Sequence, residues 1–196
     1  MLWSWRFAVL VGSGIGPYVW SLFNAENGKD GSLRHMVIIL MGVTGSGKTT
    51  VGEQLAADLG WMYRDADDFH PEANVQKMAQ GTPLTDEDRW PWLEILALEI
   101  GQWLNADQGV ILGCSALKQS YRDVLIGGRN GVQMVHLSGS KELIAQRLET
   151  RVHRYMPASL LDSQFETLEE PRDALRVDIA PTPMVIAASI RMALDL

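Results

Sequence analysis

One segment, Gly42-Val43-Thr44-Gly45-Ser46-Gly47-Lys48-Thr49, constrains this chain more than any other. It matches Gly-x-x-x-x-Gly-Lys-Thr without a mismatch, and its flanks are those the pattern needs. Val37 to Met41 is an apolar run of strand length. From Gly47 to Leu59 the apolar positions Val51, Leu55 and Leu59 recur at helical spacing, and Gly60 is a stop signal. Gly42, Gly45 and Gly47 permit backbone angles and close approach that a side chain would block. The loop N–H groups then point at phosphate oxygens, and the helix that begins there adds the positive end of its dipole. Lys48 supplies charge to the β- and γ-phosphates, and the Thr49 hydroxyl is suited to Mg²⁺. The segment Gly42, Val43, Thr44, Gly45, Ser46, Gly47, Lys48, Thr49 and Thr50 is therefore expected to cradle ATP. A chance glycine-rich turn is the weaker reading, because both flanks are present.

The rest of the chain repeats the alternation. Strands are expected at Trp61–Arg64, Val110–Cys114, Val132–Leu137 and Leu175–Ile179. Helices are expected at Pro71–Ala79, Asp86–Asn105, Gln119–Ile126, Lys141–Thr150 and Met184–Leu194. No regular element is assigned between Thr150 and Leu175. Alternating strands and helices give a parallel sheet covered on both faces. The expected fold is α/β: a three-layer P-loop kinase fold with a mostly parallel five-stranded sheet and helices on both faces.

A phosphate loop alone serves kinases, GTPases and motor ATPases. The Asn-Lys-x-Asp motif of GTPases is absent. The strand Val110 to Cys114 ends without the acid that motor ATPases carry there, and 196 residues are too few for a motor. The acids instead follow the second, short strand, as in small-molecule kinases. A net charge of −7 argues against nucleic acid as a partner. The single cysteine, Cys114, excludes a disulfide framework and fits a reducing cytoplasm; in an apolar run it is read as core.

Residues 1–35 do not conform. Phe7 to Phe23 is apolar but broken by Gly12, Gly14, Gly16 and Pro17, with Arg6 before it. The run is short and glycine-rich for a membrane span, no small-x-small cleavage site is clear, and a site that uses ATP has none outside the cytosol. The glycines lack the dinucleotide fingerprint and its strand–turn–helix setting. Residues 1–35 are read as a dispensable extension and 36–196 as the kinase domain, with Met36 as an expected translation start. The competing reading is a weak membrane-associating or targeting segment; no membrane partner is expected.

Asp65-Ala66-Asp67-Asp68-Phe69-His70 sets three carboxylates at the carboxyl end of a strand, the edge where open α/β sheets bind ligands. One such acid suits Mg²⁺ through water, and another can orient an attacking hydroxyl and take its proton. Lys77, Arg89, Lys118 and Arg122 are candidates to grip an anionic substrate, although each alone reads as a solvated charge. Arg147, Arg151 and Arg154 cluster at a helix end before Pro157, as an arginine-bearing lid or as an ordinary basic helix terminus.

From about Met36 onward these residues resemble the bacterial gluconokinases, relatives of shikimate kinase and the nucleoside monophosphate kinases. The resemblance rests on the phosphate loop from Met41 to Thr50 and on Asp65 to Pro71. It continues through Gly81 to Arg89 with Pro91-Trp92-Leu93, and Cys114 to Lys118 with Tyr121-Arg122-Asp123. It ends in Tyr155-Met156-Pro157, Leu160-Leu161, Ser163-Gln164-Phe165 and Leu168-Glu169. It implies Mg-ATP-dependent phosphorylation of D-gluconate to 6-phospho-D-gluconate, feeding the pentose phosphate and Entner–Doudoroff routes, by a cytoplasmic enzyme that is commonly a homodimer. It implies Lys48, Asp67 and Arg151 as catalytic residues and Asp65 with Thr49 at the metal. Asp67, His70, Lys77, Arg89, Lys118 and Arg122 would lie on the substrate side, and Arg147 and Pro181 would flank adenine. The family's lid commonly reads Arg-x-Gly-His-Phe-Met; here Arg151-Val152-His153-Arg154-Tyr155-Met156 stands instead. A kinase of another hydroxy acid such as shikimate, and a nucleotide-binding regulator without phosphoryl transfer, remain alternatives.

Overall fold

The computed structural model describes residues 36–149 and 158–196, with no side chains described for 158–160. Five strands form one sheet: β1 (Val37–Met41), β2 (Met62–Asp65), β3 (Val110–Gly113), β4 (Val132–Ser138) and β5 (Leu175–Asp178). Their order is β2-β3-β1-β4-β5, and every pairing is parallel. The central strand β1 is buried at all positions, which is why its sequence, Val-Ile-Ile-Leu-Met, has no polar alternation.

Among the described residues seven helices flank the strands: α1 (Lys48–Leu59), α2 (Glu72–Ala79), α3 (Asp86–Asn105), α4 (Gln119–Ile126), α5 (Lys141–Glu149), α6 (Ala158–Thr167) and α7 (Pro183–Leu194). Successive residues of β1 point to opposite faces. Val37, Ile39 and Met41 pack with Trp92, Leu93, Leu96 and Ile100 of α3 and with Tyr121 and Leu125 of α4. Ile38 and Leu40 pack with Val51 and Leu55 of α1, Ile144 of α5, Leu161 of α6 and Ile186 and Ile190 of α7. These two cores make the three layers expected from the sequence.

Two elements lie outside those expectations. Residues Ala66–Phe69 form a 3-10 turn, capped by the Asp65 carboxylate, which accepts from Asp67 N–H. Helix α6 lies where no element is assigned; its Ser163, Glu166 and Thr167 dilute the apolar period, while Leu161 and Phe165, with Leu168 just beyond the helix, reach the core. Among the described residues, no helix is long and apolar enough to cross a membrane.

The cleft edge is built by helix starts. Thr85 and Asp88 form a reciprocal capping box that fixes where α3 begins. Gly60 closes α1 in the left-handed conformation at φ 68°.

Candidate active site

The sheet reverses its winding at β1, between β3 and β4, and the loop after β1 is the phosphate cradle. Gly42 has φ 144°, and a Cβ there would stand 2.8 Å from the Leu137 carbonyl oxygen. Gly47, at φ 99°, sits immediately before α1. Both positions therefore require glycine. Lys48 Nζ donates to the carbonyls of Gly42 at 3.0 Å and Val43 at 3.2 Å, so the loop curls around its own cation. The Ser46 hydroxyl is buried inside the loop with no protein partner. Thr49 and Thr50 are exposed on the first turn of α1.

Tyr63 of β2 joins the cradle to the acidic loop. Its hydroxyl donates to Asp65 Oδ2 at 3.3 Å and also hydrogen-bonds Thr49. Burial, with the Asp65 charge, pushes its pKa up to about 12, so it stays a neutral donor. Thr49 and Asp65 thus face one another across a single hydroxyl. A hydroxyl and a carboxylate oxygen are a hard donor pair that fits Mg²⁺, which takes few protein ligands and completes its shell with phosphates and water. Among the described residues there is no cluster of three or more His, Cys, Asp or Glu that could hold a metal by itself.

Asp65 and Asp67 differ in exposure and in their partners. The Asp65 carboxylate accepts from Asp67 N–H at 3.1 Å and from Tyr63, and is pinned. The Asp67 side chain is 81% exposed and stands 3.8 Å from His70 Nε2. His70 is itself only 5% exposed, stacked on Trp92 with ring centroids 4.3 Å apart. The Trp92 indole N–H donates to Ala66 O at 2.8 Å, anchoring the acidic turn to α3. The charges of both Asp67 and Arg89 act on His70, which brings the acidic loop and the start of α3 together. Lys48, Asp67 and Asp65 likewise all act on the Cys114 thiol at the end of β3. Burial pushes that thiol up to about 12 and leaves it inert, in keeping with its place in the core.

On the opposite side Asp86, at the first position of α3, is a hub. It accepts from Lys118 Nζ at 2.6 Å and Tyr121 Oη at 2.6 Å, with Arg89 at 3.8 Å. The Lys118 bond, then the tyrosine bond, hold its carboxyl below the ordinary range. Lys77 is turned to Asp88, at 2.6 Å. On the nucleotide side Arg147 donates to Ile179 O, beside the exposed Pro181, and its guanidinium lies 4.0 Å from where a Gly47 Cβ would be. Of the expected pair, Arg147 thus stands at the cradle, and Pro181 follows two residues after the arginine's acceptor, Ile179. Arg151 and the departing lid residues His153 and Arg154 lie outside the described residues.

Arg122 departs from expectation. It is 2% exposed, and its five N–H groups are all engaged: with Ala116 O, Leu117 O, Glu169 O and, twice, Gln119 Oε1. A guanidinium has no sixth donor to offer a ligand. Arg122 is therefore corrected from a substrate grip to the internal post of the Ala116–Gln119 loop. Arg122→Ala is expected to cost about 3 kcal/mol of stability, because several buried acceptors lose their donor together. Denaturant unfolding would measure it, and a loss below about 1 kcal/mol would refute the role.

Two buried imidazoles set the acid response. His70 and His136 are both held below the ordinary value of 6.5, chiefly by burial. With a depressed folded value, the unfolded chain takes up protons first as pH falls. Their contribution is complete above pH 6.5 and is lost progressively below it. The lowered carboxyls of Asp86 and Asp88 lose theirs only below their ordinary value of 3.8. The melting temperature is therefore expected to drop in mildly acidic buffer, before the carboxylates titrate. A level profile there would contradict this reading.

A parallel sheet with a glycine cradle at its switch point, a lysine inside that cradle and a carboxylate loop beside it define a P-loop kinase of small molecules. The protein-family profile described as an AAA domain matches residues 37–172. A probable gluconokinase of Xenopus tropicalis is 43% identical over 178 residues, spanning 82% of this chain and 94% of that one. The gluconokinase of Gluconobacter oxydans is 47% identical over 141 residues, 72% of this chain and 79% of its own. The crystal structure of a gluconokinase from Sinorhizobium meliloti superposes with a TM-score of 0.73 at 41% identity, covering 84% of this chain and 94% of that chain. The chain belongs to the gluconokinase family.

Proposed function

We propose that this protein transfers the γ-phosphoryl group of ATP to the terminal hydroxyl of D-gluconate, giving ADP and 6-phospho-D-gluconate. The observation that carries the reading is what gathers at one sheet edge: Lys48 in the cradle after β1, exposed Asp67 after β2, and Lys118 after β3, tied with Arg89 to Asp86. A carboxylate beside paired cations suits an acceptor that carries both a hydroxyl and a carboxylate. Asp67 takes the proton of the hydroxyl as its oxygen bonds to the γ-phosphorus, and the bond to the bridging oxygen breaks toward ADP. Lys48 neutralises the charge that develops on the equatorial and leaving oxygens. Mg²⁺ held by Thr49 and Asp65 would add charge neutralisation between the β- and γ-phosphates. Arg147 and Pro181 flank the adenine, Arg151 adds charge at the transferring group, and His70 and Lys77 line the acceptor side.

The same reading makes the enzyme a cytoplasmic homodimer whose catalytic unit is residues 36–196. The cradle, both acidic positions and the cationic pair all lie after Met36. Protein expressed from Met36 should therefore stay folded and active, as a thermal melt and an activity assay would reveal; inactive or insoluble protein would refute it. The decisive test is a coupled assay for ADP against a panel of sugar acids that includes shikimate. Turnover with D-gluconate well above the rest is expected. Turnover with another acid alone reassigns the substrate, and none at all leaves a nucleotide-binding regulator.

A further inference from the structure

A single short segment touches both halves of the site. Gln164 of α6 meets Thr44 of the cradle twice: its Oε1 accepts from Thr44 N–H at 2.6 Å, and its Nε2 donates to Thr44 Oγ1 at 3.1 Å. The two residues are 120 positions apart in the chain, so the pairing is a tertiary feature, not a local turn. Five residues on, Glu169 meets the other half. Its N–H donates to Leu117 O at 2.9 Å, its carbonyl accepts from Arg122, and its carboxylate accepts from Gln119 N–H at 2.6 Å. That last bond caps α4, whose own N-cap residue, Lys118, supplies no side-chain cap. Lys118 in turn holds Asp86. Leu168, between the two contacts, packs into the cores on both faces of the sheet, and its N–H donates to Gln164 O at 3.0 Å.

We propose that residues 164–169 form a bracket that couples nucleotide binding to acceptor binding, with Gln164 and Glu169 as positioning residues. The inference rests on the reading of Lys118 and Arg89 as the acceptor side. Filling the cradle fixes the Thr44 backbone. Through Gln164, Leu168 and Glu169 that order reaches the Ala116–Gln119 loop and the Lys118–Asp86–Arg89 group. The second ligand then meets a loop already ordered, and binds more tightly for it. The same factor must operate in the reverse direction. Both ends of the bracket are side-chain contacts to backbone N–H groups, so each can be cut without removing a ligand-binding side chain.

The test is calorimetry on the full chain, titrating D-gluconate with and without a non-hydrolysable ATP analogue and Mg²⁺. The wild type is expected to bind gluconate at least about fivefold more tightly with the analogue present, the lower end of ordinary coupling. Gln164→Leu should bring that ratio close to one while changing affinity for the analogue alone by less. Glu169→Ala should do the same, and Glu169→Gln, which keeps an acceptor for Gln119 N–H, should restore most of the ratio. A purely structural role would not single out the ratio or be rescued this way. Should Gln164→Leu melt too early to titrate, Gln164→Met, which keeps the length of the side chain and loses both bonds to Thr44, should likewise bring the ratio close to one. A wild-type ratio of one, or a full ratio in folded Gln164→Leu and Glu169→Ala, overturns the proposal. Wild-type turnover of gluconate is measured alongside. If that fails, the substrate reading falls and this coupling with it; if it stands while the ratios do not move, only the bracket falls.

Discussion

Lys48→Ala is expected to slow turnover at least about a hundredfold while the protein remains folded. The cradle supplies positioning and charge, with no covalent step for the protein to perform, so the fixed cation nearest the transferring group dominates. Losing one preorganised donor of this kind removes roughly 2.7–4 kcal/mol of transition-state stabilisation, which corresponds to about a hundredfold or more in rate. The fold has less to lose. Lys48 Nζ donates to the carbonyls of Gly42 and Val43, within the loop at the cleft. The loop keeps its own shape through the positive φ of Gly42, Gly45 and Gly47 and the Gln164 contact. Single-turnover kinetics with a melting curve on the same preparation would check both halves. Near-normal turnover would remove the phosphate-loop assignment. A collapsed melting temperature would mean that the lysine is a structural strut.

The strand–loop–helix core was readable because each of its residues obeys a local rule. Val37 to Met41 is apolar throughout because β1 is buried on both faces, and Gly42, Gly45 and Gly47 stand where the backbone turns left-handed. Thr85 and Asp88 announce the start of α3 in the same way. Long-range partnerships carry no such local mark. Asp86 reads as an ordinary first-turn acid, favourable to the helix dipole; its role as the hub for Lys118 and Tyr121 depends on residues 32 and 35 positions away. Arg122 reads as a solvated charge on an amphipathic helix, yet its guanidinium is spent on buried carbonyls of a loop that folds back over it. Tyr63 reads as one aromatic in a short strand, and only the packing of β2 against α1 sets its hydroxyl between Thr49 and Asp65. Helix α6 escaped because Ser163, Glu166 and Thr167 interrupt its apolar period, and Gln164 has no chemistry until Thr44 is beside it.

Asp67→Asn is expected to cost turnover heavily and ATP affinity little. The two neighbouring acids have separable duties because the 3-10 turn treats them differently. Asp65 is fixed by Asp67 N–H and by Tyr63, within reach of the Thr49 hydroxyl at the cradle. Asp67 projects outward, with its carboxylate 3.8 Å from His70, toward the side where Arg89 and Lys118 gather. Asparagine keeps the size of the side chain and an oxygen that accepts a hydrogen bond. It cannot hold the proton of an attacking hydroxyl, and it removes the charge that orients that hydroxyl. General-base contributions run at about a hundred- to ten-thousandfold, so the loss should dominate kcat. The His70 imidazole adds a second signature. Burial lowers its pKa and the Asp67 charge partly restores it, so in the asparagine variant His70 should titrate lower still. Nuclear magnetic resonance of the imidazole would follow that shift independently of activity. Calorimetry with Mg²⁺ and an ATP analogue should give a dissociation constant close to wild type. If ATP affinity collapses while turnover largely survives, Asp67 belongs with the metal and the duties of Asp65 and Asp67 are exchanged. If neither quantity moves, the exposed neighbour Asp68 is the base, or the turn only caps its own backbone.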